Sequence, residues 1–385
     1  MSQYILINRL KVQNANAIAG FTWGFPAITH FLGFTHNLER KIRATETFSD
    51  ITLAGCAVIA HEHHVHTYGK SDAEFTQNRN PPYLPAHDKG ATPPVVEEGK
   101  MNLTVSLLIA CNGNIGNRAD DFIAWLERVC LTQRLAGGTI LNPALNIELF
   151  AENEANLRLI KRKLLPGFVL LDRSDYLQAH YQSLSQINPD ADLLAAWMDF
   201  AALKRRARPK SDLIEKHLLA QAELAKIWQQ HSASPYERDS IPAALWQYFA
   251  NLTETKSNKN LLQQWQHYLA PDEKTDADWE YVPKPQSGYL VPIMTGYKAI
   301  SSLYEAGKVA NTRDNETPVC FVESVHSIGE WQGIHRVKSI EQLNQCFWRY
   351  DHEEHWYLCK QSVEPLFKTT VAQLEAEADT AHGFY

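Results

Sequence analysis

A chain of 385 residues, 44% hydrophobic and 21% charged, has the apolar material for a large core and the composition of an ordinary globular protein, which excludes a disordered or fibrous chain. No apolar run is long enough to span a bilayer, and the opening MSQYILINRLKVQ is too short for a signal-peptide core, so a cytoplasmic protein without a membrane partner is expected. The net charge of −7 lies wholly in residues 251–385; residues 1–250 are neutral, so a basic groove within them is not excluded.

Residues 4–12, YILINRLKV, read as an apolar strand turning polar. Pro26 then opens a helix whose inner face is Ile28, Phe31, Leu32, Thr35, Leu38 and Ile42. Strands follow at 51–67 and, after a Pro-rich loop, at 101–111. Residues 119–135 form a helix with acids in its first turn, ended by Gly137 and Gly138, and 139–150 is a strand broken at Pro143. The order is β-α-β-β-α-β, an α+β fold of the ferredoxin-like or RRM-like kind, whose helices cover one sheet face and leave the other open. A helix at 152–165 and the strand GFVLLDR complete a core domain over 1–172. Residues 173–287 read as a helical insertion broken at Pro189, Pro209 and Pro235, ending in an acidic, Pro-containing linker. Residues 288–385 read as an α/β segment packing back on the core, with strands at 289–298 and 318–326 and an acidic terminal helix.

HEHHVH, residues 61–66, has the look of a metal site. On a strand, His61, His63 and Val65 share one side and Glu62, His64 and His66 the other, so either pair supplies two zinc ligands. No other motif offers the remaining ligands: in DHEEH (351–355) the histidines are three apart. The polar end of a long strand is the preferred reading, with no metal and no cofactor. The six cysteines form no Cys-x-x-Cys pair and read as reduced thiols. No nucleophile elbow, dinucleotide fingerprint or kinase signature is present, and no catalytic residue is assigned.

Three features suit single-stranded RNA. The loop QNANAIAGFTWGFP (13–26) combines amides on Asn14 and Asn16 with stacking faces on Trp23 and Phe25, and Arg9 lies on the strand before it. RLAGGTI (134–140) sets Arg134 beside Gly137 and Gly138, whose bare backbone lets N–H groups approach a phosphate. In RLIKRK (158–163), Arg158, Lys161 and Arg162 share a helix side; Arg79, in TQNRNP, adds a further cation. Each has a plainer explanation: a turn capping the core, a helix C-cap, or bases at a helix C-terminus. KRRARPK (204–210) reads as a solvated surface run.

The stretches RLKVQNANAIAGFTWGFPAITHFLGFTHNLERK (9–41), TQNRNP (76–81), PPVVEEGKMNLTVSLLIA (93–110), QRLAGGTIL (133–141), RKLLPGFVLL (162–171) and GYLVPIMTGYKAISSLYEAGKVANTRDNETPVCFVESVHSIGEW (288–331) occur here in that order. In them the chain resembles the second Csy subunit of the type I-F CRISPR–Cas surveillance complex, a divergent RAMP-superfamily Cas protein on an RNA-recognition-like fold. The resemblance is weakest over 174–285. It implies a non-catalytic subunit that binds the 5′ handle of the CRISPR RNA (crRNA), pairs with the large Csy subunit and abuts the first copy of the repeated backbone subunit. Target DNA would be met only indirectly or near its PAM end, guide pairing reading the sequence. The competing readings are a RAMP-type endoribonuclease with a histidine base, a metal hydrolase built on 61–66, and a protein adaptor using the Trp-rich helices around Trp197, Trp228, Trp246 and Trp265.

Overall fold

Tyr4-Ile5-Leu6-Ile7 presents apolar side chains on both sides of β1 (Ser2–Asn16), and all four are fully buried. That requirement for cover on two faces sets the architecture. The computed structural model describes residues 2–69, 74–79, 95–233, 241–272, 274–312 and 314–362. Contacts group the chain into two units. One runs to Ala201 and resumes at Gln286; the other is Ala202–Pro285.

In the first unit, α1 (Ile28–Arg43) leads from β1 to β2 (Thr52–Val65), which turns back into β3 (Lys100–Asn112). Next, α2 (Ala119–Leu131) leads through the short β4 (Gly138–Ile140) to β5 (Asn146–Ala151). In space the strands stand β2-β3-β1, with β5 and β4 pairing the far edge of β1, and every pairing is antiparallel. The six positions expected to line the inner face of α1 are all buried. With α2 they cover one sheet face, contributed by Ile5, Ile7 and Leu10 of β1 and Val105, Leu107 and Ile109 of β3.

The opposite face is not left open as expected. Tyr4, Leu6, Leu108 and Ala110 are covered by α3 (Glu154–Leu164), through Leu157, Ile160 and Leu164, and by residues 334–347, through Ile334, Leu343 and Phe347. An apolar run on both sides of a central strand cannot face water, so the cover is dictated by the sequence of β1 itself. The face opens only toward its far end, where Lys11 and Gln13 of β1 replace Tyr4 and Leu6.

After β6 (Phe168–Asp172) come α4 (Ser174–Ile187) and α5 (Leu193–Ala201), which bury Leu177, Trp197 and Phe200. The second unit follows. Its β7 (Arg205–Pro209) pairs with β8 (Ala277–Tyr281), so the basic run is a strand and the acidic linker contains its partner. Four helices, α6 (Asp212–Leu218), α7 (Ala222–Ser232), α8 (Ala243–Ala250) and α9 (Lys259–Leu269), close around Trp228, Phe249 and Trp265. Phe249 and Trp265 stack with centroids 4.2 Å apart. Three of the four singled-out tryptophans, Trp197, Trp228 and Trp265, are thus core; Trp246 is 52% exposed.

The chain returns to the first unit with β9 (Leu290–Ala299) and β10 (Val322–Gly333), then α10 (Ile340–Asn344), β11 (Trp348–Glu353) and β12 (Trp356–Gln361). Their pairings run β6-β10-β9-β12-β11-β2, and β6 also pairs with β2, closing a ring of strands that shares β2 with the first sheet. Trp348 is fully buried in it and donates its indole N–H to the Leu170 carbonyl at 3.0 Å. The terminal helix expected from sequence lies outside the described residues. Among the described residues, no helix is long and apolar enough to cross a membrane.

Candidate nucleic-acid interface

Where β1 turns polar it also stops being regular. Register shifts against β3 fall between Ile7 and Leu10 and between Val12 and Ala15, and at these bulges Arg9 (φ +53°) and Asn14 (φ +55°) take left-handed backbone. Each bulge is held by a side chain. Ser106 Oγ accepts the Arg9 N–H at 2.9 Å, and Asn102 Oδ1 accepts the Asn14 N–H at 3.1 Å. Asn142 clamps the first bulge from outside, accepting the Lys11 N–H at 2.7 Å and donating to the Arg9 carbonyl at 3.0 Å.

The same strand end meets the Gly-Gly turn. Val12 and Gln13 pair with Ile140 and Thr139, and the Asn16 N–H donates to the Ala136 carbonyl at 2.8 Å. The two glycines differ in role. A Cβ on Gly138 would stand 2.6 Å from Val12 Cγ1, 2.7 Å from the Gln13 carbonyl oxygen and 2.8 Å from the Ala15 nitrogen, so this glycine is there for close packing. Gly137, at φ +74°, is exposed with nothing within 4 Å of where its Cβ would be. Arg134 is exposed beside it, its guanidinium 3.2 Å from the Gly137 carbonyl. Thus Asn14, Arg134 and Gly137 share one exposed corner, next to a shallow cleft whose polar lining is Lys11, Gln13, Glu62, His63, His64, Asn102 and Thr104, with Val12, Leu103 and Leu141 between them.

The other expected contacts are distributed differently. The Asn16 amide is closed on its own turn, donating to the Ile18 carbonyl and accepting the Ile18 N–H. Phe25 packs inward, stacked on Phe31 at 5.7 Å and edge-on to Trp331 at 4.8 Å. Trp23 is 36% exposed on the neighbouring hairpin. On α3, Arg158 and Arg162 are exposed, whereas the Lys161 ammonium donates to the Val337 carbonyl at 2.5 Å. The Arg9 guanidinium donates to the Leu165 carbonyl at the end of that helix. Arg79 ends the strand Glu74–Arg79, paired with Val95–Glu98; its side chain lies outside the described residues.

A bulge between Ala60 and Glu62 interrupts the alternation expected for the histidine run. His61 Nδ1 donates to the Pro166 carbonyl at 2.7 Å, and Nε2 stands 2.7 Å from Ser106 Oγ, which donates to Asn8 Oδ1 at 2.9 Å. Burial holds the His61 pKa below the usual histidine value; the Pro166 hydrogen bond opposes this shift, and the Arg9 charge reinforces it. Among the described residues, no three His, Cys, Asp or Glu side chains converge as a metal site would require. The Asn8–Ser106–His61 network was missed in the sequence. Its signal was two polar residues interrupting apolar strands, Asn8 in YILINRL and Ser106 in TVSLLIA.

Comparison with known proteins assigns the scaffold. The family model described as CRISPR-associated protein (Cas_Csy2) matches residues 5–238 and 236–359. CRISPR-associated protein Csy2 of Pseudomonas aeruginosa (strain UCBPP-PA14) is 32% identical over 368 residues, which cover 91% of each chain. The chain belongs to the Csy2 family of CRISPR-associated proteins. The resemblance carried by the quoted stretches is therefore borne out. The match also runs through residues 174–285, where those stretches offered nothing.

Proposed function

We propose that this chain is a non-catalytic RNA-binding subunit of the type I-F CRISPR surveillance complex, the Cascade-type Csy complex of antiviral defence. It holds the 5′ handle of the crRNA, pairs with the large Csy subunit and abuts the first backbone subunit, meeting target DNA indirectly or near the PAM end. Family membership is the observation that carries this reading. The spatial order β2-β3-β1-β5, with α1 and α2 as crossovers, supports a ferredoxin-like RAMP core.

The exposed corner supplies the chemistry. Arg134 and Lys11 there, with Arg158 and Arg162 apart from it on α3, provide phosphate-binding cations, the open backbone at Gly137 admits a phosphate closely, and Asn14, Gln13 and Asn102 provide amides for base edges. The helix cover over the rest of this sheet face confines the RNA to the corner, so a short unpaired segment suits it better than a duplex.

A second reading, a metal-independent endoribonuclease with His61 as base, has one observation in its favour: burial keeps that imidazole neutral near pH 7. Against it, Ser106 and the Pro166 carbonyl engage both ring nitrogens. Co-expressing the full chain with the large subunit and a CRISPR array tests the main reading. A stable complex carrying intact crRNA is expected. A chain purifying alone and free of RNA refutes it, and RNA cut by the purified chain but spared by the His61→Ala variant favours the nuclease.

A further inference from the structure

Beside the Trp23 hairpin the first unit holds an apolar pocket of about 510 Å³. This is within the range of about 300–1,000 Å³ typical of small-ligand clefts. Phe25, Pro26, Pro292, Met294 and Trp331 are among its walls. Three aromatic side chains remain exposed around it, Trp23 at 36%, Phe168 at 51% and Tyr289 at 67%. None of its lining residues carries a carboxylate; its polar side chains are His61, His63 and Tyr289 with the indoles of Trp23 and Trp331, and Glu62 lines the neighbouring polar cleft, which shares His63.

The Trp23 wall is built. A Cβ on Gly99 would stand 2.5 Å from Ile18 Cγ1 and 3.2 Å from Trp23 Cδ1, so the hairpin lies directly on the Gly99 backbone. Ala17 holds it too, its N–H donating to the Gly99 carbonyl and its carbonyl accepting the Gly24 N–H, both at 2.9 Å. Gly24, at φ +141° with nothing within 4 Å of a Cβ, leaves the lip beside Trp23 open. A flat aromatic guest stacks on exposed rings of this kind, and the exposed His63 lines the same pocket.

We infer that this pocket takes one unpaired nucleobase, flipped out of the bound RNA and stacked on Trp23. The inference rests on the RNA-binding reading above and deepens it. The absence of carboxylates from the lining matches a guest tethered to a polyanion. An apolar side chain from a partner protein would leave the exposed His63 imidazole unused.

The test uses the full chain and 5′-handle RNAs carrying 2-aminopurine at one position at a time. Anisotropy reports binding and fluorescence reports stacking in the same samples. One position is expected to be quenched several-fold on binding. The quench is lost in Trp23→Ala, which removes the stacking wall, and in Ala60→Phe, which fills the pocket. Trp23→Ala also weakens binding about 5- to 150-fold, the equivalent of about 1–3 kcal/mol per stacked base. Trp246→Ala, on the second unit, changes neither signal. RNA bound with no position quenched, or a quench surviving both pocket variants, overturns the pocket and leaves the RNA reading standing. Failure of the native chain to bind RNA overturns both. Ala60→Phe abolishing association with the large subunit while the quench persists assigns the pocket to protein and overturns the inference.

Discussion

Arg158, Lys161 and Arg162 separate RNA contact from structure within one helix, α3. Arg158 and Arg162 are exposed, four residues apart and so on one side, whereas Lys161 spends its charge on the Val337 carbonyl. Each phosphate contact to a single strand contributes about 0.7 to the slope of log K against log salt. Arg158→Ala with Arg162→Ala should therefore reduce the slope by about 1.4, and extrapolating from 1 M to 0.15 M salt, each lost contact weakens binding about fourfold and the pair about fifteenfold. Lys161→Met should leave the slope unchanged and cost about 1–2 kcal/mol of stability, the low end for a charged hydrogen bond because the side chain is half-buried. The assay is a salt titration of 5′-handle RNA binding by anisotropy, beside urea unfolding of the same proteins. The reasoning is refuted if Lys161→Met flattens the slope as the arginine pair does, or if the arginine pair leaves it intact.

Two further outcomes follow from the geometry. Gly138→Ala forces its Cβ against the β1 backbone and should cost about 1–3 kcal/mol in urea unfolding, whereas Gly137→Ala, with open space but a left-handed φ, should cost about 1 kcal/mol; equal midpoints contradict the assigned roles. Burial lowers the pKa of His61, so the unfolded chain binds more protons below about pH 6.5 and stability should fall as pH drops from 6.5 toward the folded-state value. His61→Gln should fall less over pH 7.5–5.5 than the native chain, and a steeper fall in that variant contradicts the assignment.

Much of the fold was legible because it rests on local pattern. The inner face of α1 is the one its 3.6-residue spacing predicts, and the order of the first strands and helices follows from apolar runs bounded by glycine and proline. The ring of strands was not legible. It depends on β2 accepting β6 and β11 from far along the chain, and nothing local to TLAGCAVIAHEHHV announces that pairing. The open face was misjudged because it was taken from the β-α-β-β-α-β order without asking what would cover Tyr4 and Leu6. KRRARPK was read as a solvated run by charge alone, and Lys204, Arg205 and Lys210 are exposed, but its pairing with ADWEY and the 3.1 Å approach of Arg208 to Glu280 were not legible. At the candidate site, residue types located the loop and the Gly-Gly turn. They did not separate Gly137 from Gly138 or free arginines from an engaged lysine, since those distinctions arise from partners remote in sequence.

The most direct measurement is incubation of the purified full chain with labelled RNA bearing the 5′ handle, against a scrambled RNA of equal length, with and without chelator. Retention of the handle RNA in preference to the scrambled one, with every molecule recovered at full length, is the predicted result. Equal affinity for both RNAs, or shortened products in either condition, would contradict a subunit that grips an RNA end without altering it.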